Sequence, residues 1–346
     1  MIKVTDFGKH NDQVVQRYTL ENVHGTRLSV LNFAGIIQEF SVYENDERVN
    51  LVLSSDDFAS LTADYNINRI IGRTAGRIAD GRWTQNGRNI VVPTNENGHA
   101  LHGGPQGLGE QFFDVSVNQE ANTITLKRKQ LSELDGFPGD IDIRVTYQLT
   151  DDNRVILKFT GTQLETAGVF NPTVHSYFNL ANPGVDDLLT HELWLNSQKH
   201  VAINDDKIPT GELIDNANTL FDFKKETNLG VVLPKLRSKI KEGGLDDAFL
   251  VEPSLVNPVA VLTENNSGRR LSVYSDRNAV VAFTANQLNN DVIKNTNRGE
   301  GHPWIAVALE AQTLPNSENI PTFGDVKLAV NETAEATIIY AYDTFK

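Results

Sequence analysis

Short runs of alternating apolar and polar residues recur through the whole 346-residue chain and constrain its fold more than any other feature. A period of two places successive side chains on opposite faces, so these runs predict half-buried β-strands. Turn-forming residues separate the runs, most clearly at Asn86-Gly87, which lies between Trp83 and Ile90 and predicts a tight hairpin. The clearest runs are residues 28–33, 115–117, 123–127, 141–147, 155–159, 271–274, 280–284, 305–309 and 336–340.

Helical periodicity is scarce, and its best candidates are two short segments, residues 55–61 and 228–236. Many strands with almost no helix predict an all-β protein, a large antiparallel β-sandwich with few short helices. We see no repeat of fixed period and no linker rich in proline, glycine or serine. We therefore expect one domain that spans residues 1–346.

Composition excludes several classes of function. The chain has no cysteine, which removes disulfides, thiolate metal sites and cysteine nucleophiles. A formal net charge of −14 argues against a nucleic-acid partner and, more weakly, against a phosphorylated sugar. No run approaches the roughly 20 apolar residues of a membrane helix, and the start lacks a secretory signal. We expect a cytoplasmic protein that binds a neutral small molecule; the oligomeric state stays open.

Two glycine-rich segments interrupt the strand pattern. Residues 72–81 contain two arginines among glycines, which is typical of a surface loop but also allows a ligand to approach the backbone. In residues 97–105, His102 lies between an apolar residue and two glycines, so its ring has little steric cover. The adjoining residues 103–109 resemble a phosphate-binding loop, but they lack the Lys-Ser/Thr pair and the following helix, and we reject that interpretation.

A third polar segment, residues 170–180, begins with an Asn-Pro step that breaks regular strand pairing. Alternation then predicts that His175, Tyr177 and Asn179 share one face of a strand. A strand with a polar, solvated outer face would show the same pattern, so the functional interpretation needs further support.

Glu310 directly follows the strongly apolar run 305–309. Burying a carboxylate is unfavourable unless it is paired or functional, and burial raises its pKa toward the range of a general base at neutral pH. His102, His175 and Glu310 could also bind a metal ion. Their wide separation, and the lack of ligands at short fixed spacing, favour a site without a metal.

Together these segments resemble the galactose mutarotase (aldose 1-epimerase) family, whose motifs they match in the same order along nearly the whole chain. The matching pieces are Gly-Arg-Ile at 76–78, Leu-His-Gly-Gly at 101–104, Asp-Gly-Phe-Pro-Gly at 135–139, Asn-Pro-Thr-Val-His-Ser-Tyr-Phe-Asn-Leu at 171–180, Leu-Asp-Asp-Ala-Phe at 245–249 and Leu-Glu-Ala-Gln-Thr-Leu-Pro at 309–315.

The resemblance implies a β-supersandwich that interconverts the α and β anomers of a neutral aldohexose, such as galactose or glucose, without a cofactor. It implies Glu310 as general base, His175 as general acid and His102 as the second histidine, beside the ring oxygen. Arg77 and Asp246 match positions that hold sugar hydroxyls. The candidate substrate-binding residues are Arg77, Gly76, Asp246, Tyr177 and Gln287.

The chain departs from the family pattern at three positions. Gly76 stands where asparagine is common, Asp247 where histidine is common, and Gln287 in a region where some relatives place an aromatic residue against the sugar. These departures leave the proton-transfer residues in place and leave the preferred sugar open.

Three other functions fit the same residues. A noncatalytic sugar-binding relative would not need the complete set of one glutamate and two histidines. A glycosidase would need a second carboxylate, which Asp246 could supply. A mutarotase could also act on a disaccharide such as maltose or on a hexose 6-phosphate, although the acidic balance disfavours the phosphate.

Overall fold

A computed structural model describes residues 2–63, 65–182, 184 and 187–345. Its three α-helices are α1 (Phe58–Thr62), α2 (Ser132–Asp135) and α3 (Leu229–Arg237), and none of them is long and apolar enough to cross a membrane. The strands of these residues are, in chain order, β1 (Lys3–His10), β2 (Gln13–Glu21), β3 (Arg27–Leu31), β4 (Ile37–Glu44), β5 (Glu47–Asn50), β6 (Ile70–Ile71), β7 (Arg77–Ile78), β8 (Arg82–Gln85), β9 (Arg88–Val91), β10 (Ala100–Leu101), β11 (Asp114–Asn118), β12 (Thr123–Gln130), β13 (Ile141–Leu149), β14 (Arg154–Gln163), β15 (Gly168–Val169), β16 (Thr173–Val174), β17 (Tyr177–Phe178), β18 (His191–Leu195), β19 (Ser197–Ile203), β20 (Pro209–Asp215), β21 (Thr227–Asn228), β22 (Asp246–Val251), β23 (Ala260–Glu264), β24 (Arg269–Ser275), β25 (Ala279–Phe283), β26 (Val307–Gln312), β27 (Lys327–Leu328) and β28 (Thr333–Thr344).

The largest sheet has nine strands in the order β11-β12-β13-β14-β28-β24-β23-β18-β21, and all of its neighbouring pairs are antiparallel. Strands β13 and β14 alternate between buried and solvent-facing side chains, as the sequence period predicts. Their buried side chains join one hydrophobic cluster with residues of the five-stranded sheet β1–β5 and of a six-stranded sheet. This arrangement confirms the all-β sandwich with few short helices.

The six-stranded sheet, ordered β17-β26-β25-β22-β19-β20, carries the candidate site. All six residues of β26 are buried, but its two faces differ. Val307, Leu309 and Ala311 point into the main hydrophobic cluster, so Glu310 and Gln312 point to the opposite face. A strand that is buried on both faces usually consists of apolar residues throughout. Strand β26 departs from this pattern, because it carries two polar residues, both on the same face.

Every predicted strand run overlaps a strand, and the Asn86-Gly87 hairpin is confirmed between β8 and β9. The run 305–309 was wrong in its bounds, because β26 begins at Val307 and continues to Gln312. Glu310 therefore lies inside the strand and does not follow it. Pairing with β25 through Val281 extends the strand past the apolar run.

Two further local predictions need correction. Helix α1 begins at Phe58 and not near residue 55, because the Asp57 carboxylate accepts from the backbone N–H groups of Ala59 and Ser60. The single strand predicted through residues 174–179 is divided into β16 and β17, which pair with different neighbours. Helix α2 was not predicted, since four residues are too short for a periodic signal.

Candidate active site

One pocket of about 460 Å³ lies against the polar face of the six-stranded sheet. Its floor comes from β17, β22, β25 and β26, and its walls include the loops that precede β7, β10 and β20 and the loop that follows β10. The structure brings all eight predicted site residues to this pocket: Glu310, His175, His102, Arg77, Gly76, Asp246, Tyr177 and Gln287.

Glu310 and His175 form a buried pair at the floor. Their side chains are 3% and 7% exposed, and His175 Nε2 lies 3.2 Å from Glu310 Oε1. Among the residues that the structure describes, Glu310 Oε2 and His175 Nδ1 have no hydrogen-bond partner. The two residues line the pocket, and each member of the pair has hydrogen-bonding capacity that the described residues do not use.

Burial shifts both of these groups toward their uncharged forms. It raises the pKa of Glu310 well above its usual value, with a further rise from the charge of Asp246 and an opposing effect from Arg77. Burial also lowers the pKa of His175 to about 4, against an upward effect of Asp246. The carboxyl thus keeps its proton to higher pH than an ordinary glutamate, and the imidazole is a weaker base than usual.

A hydrogen bond from the loop that precedes β7 fixes the tautomer of His102. Strands β7 and β10 pair, which brings Gly76 beside His102, and the Gly76 N–H donates to His102 Nδ1 at 3.2 Å. Because Nδ1 accepts, a neutral ring carries its hydrogen on Nε2. Burial, His175 and Arg77 all lower the pKa of His102, which keeps the ring neutral.

The glycines around His102 are required by close packing. A Cβ on Gly103 would lie 1.9 Å from the carbonyl oxygen of Gly72, and its φ of 87° is left-handed. Gly76 has a φ of 74°, and a Cβ there would lie 2.5 Å from Cβ of Pro315. An asparagine at position 76 would therefore require Pro315 to shift.

Two ion pairs line the pocket above the floor. Arg77 donates from Nε and Nη2 to the two carboxylate oxygens of Glu96. Lys207 Nζ donates to Asp246 Oδ2 at 2.5 Å. Each predicted hydroxyl-binding residue is thus fixed by an oppositely charged partner that the sequence did not reveal.

Aromatic rings cover one side of His175. Tyr177 stacks on it at 4.9 Å between ring centroids, and its hydroxyl donates to the backbone carbonyl of Tyr65 at 2.8 Å. Phe283 meets the imidazole edge-on at 6.1 Å and stacks with Tyr65 at 6.2 Å. Tyr177 therefore orients His175 through its ring while its hydroxyl is engaged elsewhere.

Other sequence-derived candidates lie at the margin or outside. Gln287 lines the pocket but is exposed at its rim. Asn179 is fully buried, donates to the carbonyl of Ile305 and is not among the residues that line the pocket. Asp247 is not among the lining residues; its carboxylate accepts from the Asp246 N–H, and burial raises its pKa to about 7.

Sequence reasoning missed five lining residues that matter here: Glu96, Lys207, Tyr65, Phe283 and Gln312. Strand alternation could have found one of them, because Gln312 is two residues from Glu310 in the sequence. Glu96 and Lys207 lie in irregular loops, where no periodicity reports orientation.

One ligand atom each from His102, His175 and Glu310 lie within 4.8 Å of one another. Two imidazoles and a carboxylate are a donor set that zinc accepts, and Nε2 of His102 is the atom left for such a role. The cluster is compatible with metal ligation as well as with proton transfer, so metal content is a necessary measurement.

Comparisons with known proteins agree with this geometry. A sequence profile described as aldose 1-epimerase matches residues 16–341. The chain is 36% identical to a maltose epimerase of Levilactobacillus brevis over 97% of both chains, and 34% identical to an aldose 1-epimerase of Streptococcus thermophilus over 97% of this chain and 96% of the relative. It is 30% identical to the galactose mutarotase of Rattus norvegicus over 79% and 78% of the two chains.

Solved structures share the fold. An aldose epimerase homologue from C. elegans superposes with a TM-score of 0.86 at 24% identity, covering 95% of this chain and 99% of the other. A galactose 1-epimerase from Lactobacillus acidophilus gives 0.85 at 23% identity, covering 100% and 99%. The chain belongs to the aldose 1-epimerase family, whose members are isomerases.

Proposed function

We propose that this pocket interconverts the α and β anomers of a neutral aldose. A change of anomer requires the ring to open: a base takes the proton of the C1 hydroxyl while an acid gives a proton to the ring oxygen. Both oxygens are bonded to C1, so the acid and the base must lie close together. The observation that carries the proposal is the 3.2 Å approach of Glu310 to His175, buried and facing the pocket.

Glu310 acts as the base and His175 as the acid. Burial favours the uncharged forms of both side chains, so His175 is not an imidazolium in its own right before the sugar binds. This revises the general-acid role that was expected from the sequence. A single proton shared by the pair is sufficient. When it lies on His175, the Glu310 carboxylate accepts the C1 hydroxyl proton and the imidazolium supplies the ring oxygen.

The open aldehyde rotates about C1–C2, and the proton transfers then run in reverse to close either anomer. His102 donates from Nε2 to the ring oxygen, which accumulates negative charge as the C1–O bond breaks. Arg77 and Asp246 bind ring hydroxyls, held in place by Glu96 and Lys207. None of these steps needs a cofactor.

The test is polarimetry on freshly dissolved α-anomers of glucose, galactose, xylose and maltose against buffer alone. Glu310→Gln keeps the shape but removes the base, and we expect its kcat/KM to fall by about 10²- to 10⁴-fold. Glu318→Gln is the matched control, since Glu318 is also buried, has a pKa raised to about 7 and does not line the pocket. Full activity of Glu310→Gln would refute the assignment.

A disaccharide substrate is the second candidate, favoured by the 36% identity to a protein named maltose epimerase. The α-maltose arm of the polarimetry decides it: a kcat/KM for maltose above that for the monosaccharides would establish the disaccharide as the preferred substrate. Release of nitrophenol from nitrophenyl glycosides would instead support a glycosidase.

A further inference from the structure

Gln312 is the polar residue of the pocket floor that the mechanism does not use. It lies on β26 two residues after Glu310, lines the pocket and is fully buried. Neither its amide nitrogen nor its amide oxygen has a hydrogen-bond partner in the described part of the chain, residues 2–63, 65–182, 184 and 187–345. Both halves of a strongly polar group are therefore unsatisfied in the protein itself.

An unsatisfied buried amide is unfavourable, and folded proteins pair nearly all such groups. A methionine or leucine would fill the same space without this penalty. Gln85 is also buried and follows the rule, because it donates to the Gly168 carbonyl and accepts from Trp83 Nε1. The buried Gln163 has an unpaired Oε1, but its Nε2 donates to the carbonyls of Pro138 and Thr166. Among the described residues, Gln312 is the buried glutamine with both amide atoms unpaired. The exception at Gln312 points to a partner that enters the pocket.

The position of Gln312 indicates which part of a bound sugar lies beside its amide. Residues two apart on a strand share a face, so the amide lies beside the Glu310 carboxylate. Across the pocket it approaches Gly76, where a Cβ would lie 3.4 Å from Gln312 Nε2, and Gly76 in turn holds His102. Gln312 thus borders the place where the C1–O5 unit meets Glu310 and His102.

We propose that the Gln312 amide binds a hydroxyl that flanks the reacting C1–O5 unit of the sugar, either on C2 or on the exocyclic C6. A hydroxyl both donates and accepts, and an amide offers one oxygen and one N–H₂ to match it. This inference rests on the proposed function. It assigns Gln312 to substrate binding and leaves the proton transfers to Glu310 and His175.

The experiment compares Gln312→Met with wild type and with Gln85→Met in thermal unfolding and in mutarotation kinetics. Gln312→Met removes an unpaired amide, so its Tm stays at or above that of wild type while KM rises about 3- to 10-fold, the effect of one lost hydrogen bond. Gln85→Met breaks two internal hydrogen bonds, so its Tm falls while KM is unchanged. An unchanged KM with a lowered Tm for Gln312→Met would overturn the proposal.

Deoxy sugars then identify the hydroxyl. One of the two sugars, 2-deoxyglucose or 6-deoxyglucose, lacks the hydroxyl that Gln312 binds. Wild type cannot form the Gln312 hydrogen bond with that sugar, so Gln312→Met produces no further rise in its KM. The same rise with both deoxy sugars would overturn the proposal. If Gln312→Met does not fold, Gln312→Asn, which keeps the amide but shortens its reach, replaces it with the same expectations for KM. Wild type inactive on every sugar would refute the proposed function instead.

Discussion

Two buried pairs of an acidic and a basic side chain are built in opposite ways in this protein. Arg73 and Asp135 are 0% and 1% exposed, and Arg73 holds both carboxylate oxygens, at 2.7 and 2.9 Å. Arg73 also donates to the carbonyl of Gly139 at 2.7 Å, and Asp135 accepts from the Phe137 N–H. The pair of Glu310 and His175 is also buried, but two of its polar atoms lack partners in the described residues.

The difference separates a structural pair from a reactive one. A buried ion pair is tolerated when every lone pair and N–H is satisfied, as around Arg73. Glu310 and His175 line the pocket, and each has one polar atom without a partner in the described residues. In the proposed mechanism a sugar supplies the missing partners. Two arginines only four residues apart in the sequence, Arg73 and Arg77, thus belong to different parts of the molecule.

The largest expected effect is loss of stability at the satisfied pair. Asp135→Asn leaves Arg73 buried without a counter-charge, so we expect the free energy of unfolding to fall by about 3–5 kcal/mol. Asp343→Asn is the matched control, because Asp343 also forms a two-point pair, with Arg270, but both side chains are exposed. Its loss should be about 0–1 kcal/mol. Equal losses in chemical denaturation would contradict the structural role of Arg73.

The reactive pair should respond in the opposite sense. The raised pKa of Glu310 means that the folded protein binds its proton more tightly than the unfolded chain does. The stabilisation that comes from this tighter proton binding is fully present below the ordinary glutamate pKa. It is lost as pH rises through the pKa of Glu310 in the folded protein. Glu310→Gln should therefore equal wild type near pH 4 and become more stable than wild type above it, with a Tm difference that grows as pH rises.

Thermal unfolding of both proteins across pH 4–9 measures this difference. A stability gap that stays constant with pH, or a Glu310→Gln protein that is less stable than wild type at high pH, would show that the carboxylate is well accommodated in the folded state.

The smallest expected effect is at the pocket wall. Lys207→Met keeps the length of the side chain but frees Asp246, so hydroxyl binding weakens and KM should rise about 2- to 10-fold with kcat little changed. Lys158→Met, which removes an exposed pair with Glu335 away from the pocket, should leave KM unchanged. A lower kcat at constant KM would instead place Lys207 in the chemical step.

The period of two predicted most strands and the sandwich, because alternation reports directly which side chains face a core. It also could have predicted that Glu310 and Gln312 share a face. The residues that converge on the pocket from separate loops, such as Glu96 on Arg77 and Lys207 on Asp246, lie far from any periodic signal, and their positions depend on tertiary packing alone. The family motif at residues 135–139 likewise reveals its structural purpose only beside Arg73.

The sharpest test of the account is an experimental structure of the protein with a bound aldose. We expect a sugar whose C1 hydroxyl lies within about 2.6–3.2 Å of a Glu310 oxygen, with the ring oxygen at the same distance from His175. A sugar with its C1–O5 unit turned away from this pair, or a metal ion held between Glu310 and the two histidines, would contradict it.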